Sequence, residues 1–440
     1  MKSQMAETTP LLTARRGMPV LRRFSLAVFF FAFGLRVLIA WKSGFFGGFA
    51  QDRREEMVRI AVSLVKYHEY GNPYLIHTGP TAQQMPIYPL FLSLIYFVFG
   101  TGASAEAVKI LLACAACALR CALLPFFCLA AGLGRVVGII SGILGTVYIG
   151  ALQTELRGNW DTPWQALALL IATWMTIRIW SGDSWRRKTP ILYLVIWGAA
   201  ILLQPAFFVI LACFLLAALI SVHAGERWRY LQQCVALALV VCAFIAPWAI
   251  RNYLRFGELI CTRSNFGLEF WLSNGPGRAF DMQTNLGFDV PHPSHSLREA
   301  QQVLQMGEVQ YNQVKLKQAE MWVRGNVGEF VHLTWQRFCA WWFPPSGNSL
   351  HRLSNLGLTL LALAGLGLMF RIQPLVALLF LLTWMSFPLI YYVIQWSPKY
   401  RCPMDWEVLV CAAVVIGRVF QGLLPQRWSA LNFSEAAWER

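Results

Sequence analysis

Asp52-Arg53-Arg54-Glu55-Glu56 packs five charges into five residues, just after an apolar run and just before a stretch with one apolar face. Charges beside lipid are costly unless they face water or a partner. A carboxylate in a cleft can take a proton or orient a hydroxyl. Asp52, Glu56 and Arg59 follow at spacings of four and three, so a helix brings them to one face. Further along, Glu155 ends an apolar run, Asp161 precedes Thr162-Pro163, Arg251 follows Pro247-Trp248, and Lys399 and Arg401 lie in the turn SPKYRCP. Such cations suit a phosphate, arginine as a fork and lysine as a point charge. Each group also has a bland reading. The 52–56 stretch can be a solvated face in which Glu55 and Arg59 pair at i, i+4. Asp161 can be a helix cap, and Arg251 reads equally as an interfacial anchor. Glu155 has no such alternative.

The elements that must position these groups are membrane helices. The 440 residues are 57% hydrophobic and 13% charged, where a soluble domain carries about a quarter charged residues. Long, separated apolar runs without period-two alternation indicate an all-α, multi-span integral membrane bundle and exclude a β-barrel. The net charge of +15 comes largely from residues at the ends of apolar runs, which is a topology signal rather than a nucleic-acid signal. The eleven cysteines lie mostly inside apolar runs as small hydrophobes, and no spacing reads as a disulfide framework or zinc site. Arg36 is near enough to the outer end of its run to snorkel, whereas Arg120 is deeper.

Candidate spans are 24–41, 105–131, 136–151, 162–180, 190–203, 205–222, 230–249, 354–370, 374–396 and 404–420. The pair 190–203 and 205–222, split at Gln204-Pro205, can also be one kinked element. Residues 1–23 form a basic tail without a cleavable signal, and with the 184–188 and 226–229 basic loops they belong in the cytoplasm, as does the tail 421–440. Parity then requires one apolar run not to cross. The short run 86–100, opened by Pro86 and Pro89, is expected to be re-entrant or interfacial. The chain divides into a membrane module at 24–249 with a first outer loop at 42–85, an outer region at 250–353 and C-terminal spans at 354–420. Residues 42–85, 152–161, 250–353 and 397–403 thus share the outer face. Met57, Ile60, Ala61, Leu64 and Val65 predict an amphipathic helix on the membrane surface. The stretch SLREAQQVLQMGEVQYNQVKLKQAEMWVRGN predicts soluble helix. His292 and His295, around a proline, read as a loop feature rather than a metal site.

In order along the chain, EEMVRIAVSL, GPTAQQMPIYPLFLSLIYFVFG, ELRGNWDTPWQALALL, APWAIRNYLRFGELICTRSNFGLEFWLSNGPG, HPSH and SPKYRCP resemble the polytopic glycosyltransferases of family 39. That family includes the protein O-mannosyltransferases and the lipid A aminoarabinose transferase, and the look is that of bacterial members. The resemblance implies a GT-C membrane fold in the inner membrane. It implies a polyprenyl-phosphate-sugar donor, an acceptor hydroxyl on a protein, lipid or glycan, and inversion at the sugar. It also implies a catalytic acid in the first outer loop and a second acid at the start of a later helix. Asp52, Glu56 and Asp161 are the corresponding catalytic candidates, with Glu155, Arg59, Arg251, Lys399 and Arg401 binding substrate. Met57 stands where many relatives have an aromatic residue, and Asp52 is one residue too far from Ile60-Ala61. Asp52 and Glu56 therefore remain alternatives for the base. No cofactor is implied, and a divalent metal requirement is left open. The alternative function is a transporter or flippase, which should show internal repeats and helices broken at mid-membrane; no repeat is visible.

Overall fold

The computed structural model describes residues 8–47, 55–148, 155–180, 189–221, 225, 227–287, 291–346 and 348–423. Asp52 and the basic loop 184–188 lie outside the described residues. Among those described there is no β-strand, only the bridges Gly71 to Pro80 and Asp281 to Trp396. Five of the described helices are long and apolar enough to cross a membrane, and the protein is a multi-pass membrane protein.

Helix α1 (Thr8–Lys42) starts inside the stretch read as a tail, because helical hydrogen bonding extends beyond the apolar run. It packs on α4 (Ala103–Ala130), which also packs on α5 (Arg135–Val147) and α6 (Thr162–Trp180). Helices α7 (Thr189–Leu203) and α8 (Phe207–Ser221) are separate. The break at Gln204-Pro205 is held by Gln204 Nε2, which donates to Gln165 Oε1 (3.2 Å) and the Tyr391 hydroxyl (3.0 Å). Helix α9 (Arg227–Phe256) leads to the long polar region.

The first outer loop carries α2 (Glu56–Tyr67) and α3 (Ile87–Phe99). Met57, Val58, Ile60 and Ala61 of α2 are buried, and Met57, Val58 and Ala61 cluster with Tyr88, Leu92, Ile95 and Tyr96 of α3. The predicted amphipathic helix thus lies on α3. With 13 residues, α3 is about 20 Å long, short of the ~30 Å hydrocarbon core.

The polar region forms α10 (Phe266–Ser273), α11 (Met282–Gly287), α12 (Leu297–Met306), α13 (Glu308–Gly325) and α14 (Val327–Trp342). The stretch predicted as soluble helix is two helices, broken at Gly307, whose φ of 81° suits glycine. Helix α10 lies so close to α13 that a Cβ on Gly267 would be 2.0 Å from the Asn312 carbonyl oxygen. The bundle closes with α15 (Ser349–Ile372), α16 (Pro374–Ser386), α17 (Leu389–Val393), α18 (Pro398–Arg401) and α19 (Asp405–Leu423).

Two buried arginines are internal pins. Arg36 does not snorkel; it donates to the Gly145 carbonyl at 2.9 Å. Arg120 meets both oxygens of Glu155, at 2.6 and 3.1 Å. A charge closed inside a bundle needs such acceptors, carbonyls for Arg36 and a carboxylate for Arg120.

Candidate active site

Glu56 opens α2 and is buried. Its carboxylate accepts from Gln84 Nε2 (2.7 Å), Gln83 Nε2 (3.2 Å) and the Ser294 hydroxyl (3.3 Å). His292 Nε2 lies 3.4 Å away. The Ser294 backbone N–H donates to His292 Nδ1 at 2.9 Å, so the ring's proton is on Nε2 and points at Glu56. Burial pushes the His292 imidazole below its usual range, partly opposed by Glu56. Arg59, half-buried one turn along α2, also disfavours a second proton on that ring. The Tyr74 hydroxyl donates to Gln83 Oε1 (2.8 Å), which turns the amide nitrogen toward Glu56.

This loop is clamped to the polar region. The Glu308 carboxylate accepts from the Thr81 hydroxyl, the Ala82 N–H (2.7 Å) and the Ser264 hydroxyl (2.6 Å). Arg251 donates to the carbonyls of Thr81 and Tyr70, each at 2.7 Å, and its guanidinium lies 5.3 Å from the Trp248 ring centroid.

Two cavities meet here. One, of about 950 Å³, lies between apolar helices. The other, of about 500 Å³, is lined by Glu55, Glu56, His292 and His295. Trp160, Arg263, Asn265, Glu269, Lys399 and Tyr400 line both and form the shared wall. Arg263 has its Nε and Nη2 buried without a hydrogen-bond partner. Lys399 Nζ sits 3.5 Å from the Trp160 ring centroid, and burial pushes its ammonium below the usual range. Asp161 lines the larger cavity, and its Oδ2 is buried without a partner. Burial raises the Asp161 carboxyl, opposed first by Arg263. Its carbonyl accepts the Gln165 N–H at 2.9 Å, so the residue opens α6. Trp160 is placed by its neighbour Asn159, which accepts from Lys109 Nζ at 2.5 Å. The Lys399 segment is placed by buried Arg337, which donates to the Val393 and Ser273 carbonyls at 3.0 and 2.5 Å.

The structure therefore gathers Glu56, Asp161 and Lys399 around the cavities, with Arg59 beside His292. It places three expected substrate ligands elsewhere. Glu155 is fully buried against Arg120. Arg251 holds loop backbone. Arg401 is buried, with its Nε 2.9 Å from Asp405. In each case the nearest partner is protein, and none of the three lines either cavity. Sequence reasoning missed Arg263 and Glu269, although both are charges in the largely apolar stretch CTRSNFGLEFWLSN. It also set aside His292. Among the described residues no three His, Cys, Asp or Glu side chains gather to hold a metal ion.

No protein-family model matches the sequence, and no curated protein sequence matches it. Solved structures do. The apo oligosaccharyltransferase of Archaeoglobus fulgidus overlays with a TM-score of 0.55 at 15% identity, covering 93% of this chain and 51% of that one. The same organism's oligosaccharyltransferase AglB, solved with an inhibitory peptide and a dolichol-phosphate, gives 0.51 at 14% identity over 94% and 52%. ArnT from Cupriavidus metallidurans, bound to undecaprenyl phosphate, gives 0.38 at 14% identity over 88% and 78%, an overlap too low to argue from. The chain spans about half the length of the oligosaccharyltransferases it matches. Its fold is that of the archaeal oligosaccharyltransferases it overlays.

Proposed function

We propose that this chain is a membrane glycosyltransferase that moves a sugar from a polyprenyl-phosphate carrier to an acceptor hydroxyl. The observation that carries this is the shared wall. There Arg263, with two buried N–H groups that lack partners, and Lys399 both line the place where an apolar cavity meets a polar pocket holding carboxylates. The larger cavity suits an isoprenyl tail, the two cations the phosphate, and the smaller pocket the sugar and acceptor. The fold shared with a protein solved with dolichol-phosphate supports the same donor class.

In this reading the acceptor oxygen attacks the anomeric carbon. The bond from that carbon to the phosphate oxygen breaks, and its electron pair stays on the phosphate, where Arg263 and Lys399 offset the growing charge. The hydroxyl proton passes to a carboxylate, and the sugar centre inverts. Asp161, with one unpartnered oxygen and a burial-raised carboxyl, fits the proton acceptor. Glu56, already contacted by four side chains, fits a holding role. Asp52 remains the alternative base. With the basic N-terminal segment in the cytoplasm, the pocket faces the outer side of an inner membrane.

Sugar release from a radiolabelled polyprenyl-phosphate-sugar pool tests this with the full chain in lipid. Asp161→Asn should lower turnover by about 10²–10⁴-fold, and Asp52→Asn and Glu56→Gln report the other two acids. Full activity in all three variants, or no release by wild type from any donor, would overturn the transferase reading in favour of transport.

A further inference from the structure

Glu269 is an acid that the transfer chemistry above leaves unused. It stands in the wall common to both cavities, beside the two cations assigned to the phosphate. Its helix is held rigidly. Gly267 abuts the Asn312 backbone, Leu268 N–H donates to Asn312 Oδ1 at 3.0 Å, and Arg337 holds the Ser273 carbonyl. The backbone that carries Glu269 is thus held at the wall common to both cavities, and among the described residues no hydrogen bond to its carboxylate is found. The charged groups around it come from several elements. Glu55 and Glu56 face it from the start of α2, Arg157 and Asp161 from the segment before α6, and Arg263 from the turn before α10. His292, His295 and Lys399 complete the surround.

We propose that Glu269 takes up a proton when the donor's phosphodiester binds, releasing Arg263 and Lys399 from its charge and leaving them to the phosphate. The inference rests on the donor reading above. A phosphate on those two cations brings an anion against a carboxylate in the same wall, and two such anions do not both stay charged at low cost. The free carboxyl is already poised for this. Burial raises it to about 7, Glu56 adds to the rise, and Lys399 and Arg263 oppose it. A bound anion raises it further. Affinity is then full below the free-state value and falls as pH rises through it.

The test uses the full chain in phosphatidylcholine nanodiscs and a short-chain isoprenyl methyl phosphodiester, whose single charge does not titrate in this range. Wild type should bind about tenfold more weakly at about pH 8 than at about pH 6. Glu269→Gln should lose that slope and bind at the higher pH as wild type does at the lower, while Glu269→Asp keeps a slope. Binding heats in buffers of different ionisation enthalpy should show proton uptake in wild type and none in Glu269→Gln. A slope that survives in Glu269→Gln puts the titration on Lys399 or a histidine and overturns the inference alone. So does weaker binding by Glu269→Gln at both pH values with an unchanged melting temperature. Wild type that binds the probe at no pH overturns the donor reading, and this inference with it.

Discussion

The molecule holds two clusters of acids and bases, one inside the bundle and one at the meeting of the cavities. Inside, Arg120 grips both oxygens of Glu155. About three turns earlier on α4, Lys109 bridges Glu106 and Asn159, and the Tyr96 hydroxyl also donates to Glu106. These carboxylates are matched by protein donors. At the shared wall the accounting stays open, with two Arg263 nitrogens and one Asp161 oxygen lacking partners. Buried polar groups without partners are costly, and natural proteins keep them rare. Arg401 and Glu407 also have buried atoms without partners, but Arg263 and Asp161 line a cavity that a ligand can enter. Charge alone does not separate the two clusters, since both contain arginine, lysine and carboxylate. What separates them is access, since Arg263, Asp161 and Lys399 line a cavity and Glu106, Lys109, Arg120 and Glu155 line neither of the two.

The largest expected effect comes from breaking the inner cluster. Arg120→Leu strands the Glu155 carboxylate in the bundle, and such a change costs about 3–5 kcal/mol. Thermal melting in lipid should show the loss. A melting temperature equal to wild type would make this pair dispensable and remove the contrast. At the wall the expected order reverses, with function lost and stability kept. Arg263→Ala removes charge-assisted donors, each worth about 1.5–3 kcal/mol, so phosphodiester affinity should fall about tenfold or more at unchanged melting temperature. Unchanged affinity would leave Lys399 as the sole phosphate cation and weaken the claim that unpartnered donors mark the site.

The smallest effect concerns His292, which belongs partly to each kind of cluster. Its ring is held neutral because burial lowers its proton affinity below that of the unfolded chain. The unfolded state therefore binds the extra proton first, and wild type should lose stability as pH falls below about 6.5. His292→Gln keeps a donor for Glu56 and has no ring to protonate, so its melting temperature should fall less over the same interval. Parallel losses in the two proteins would show that His292 is charged in the native state.

Helix positions were legible in the sequence because long apolar runs and their polar ends are local signals. Each proposed span corresponds to one helix except 374–396, which is the two helices α16 and α17, and the amphipathic pattern at Met57, Ile60 and Ala61 marks the buried face of α2. Breaks were less legible. Gly307 interrupts a stretch whose composition favours helix throughout, and Gln204-Pro205 became a true break because Gln165 and Tyr391 take up the Gln204 amide.

The sequence by itself determined a multi-span helical membrane protein whose chemistry-bearing residues lie in the segments between spans. Composition, run length and helical period are properties of neighbouring residues, and they need no knowledge of distant ones. Only the tertiary structure decided which charges are spent. Glu155 and Arg401 looked as available as Asp161 and Lys399, but Glu155 is claimed by Arg120 from α4, and Arg401 lies against Asp405 at the start of α19, lining neither cavity. Arg263 and Glu269 drew no notice in an aromatic loop, yet the packing of α10 on α13 carries them to the wall between two cavities. Whether a charge is matched depends on what lies within a few ångströms in space, and that is a property of the packing of distant segments.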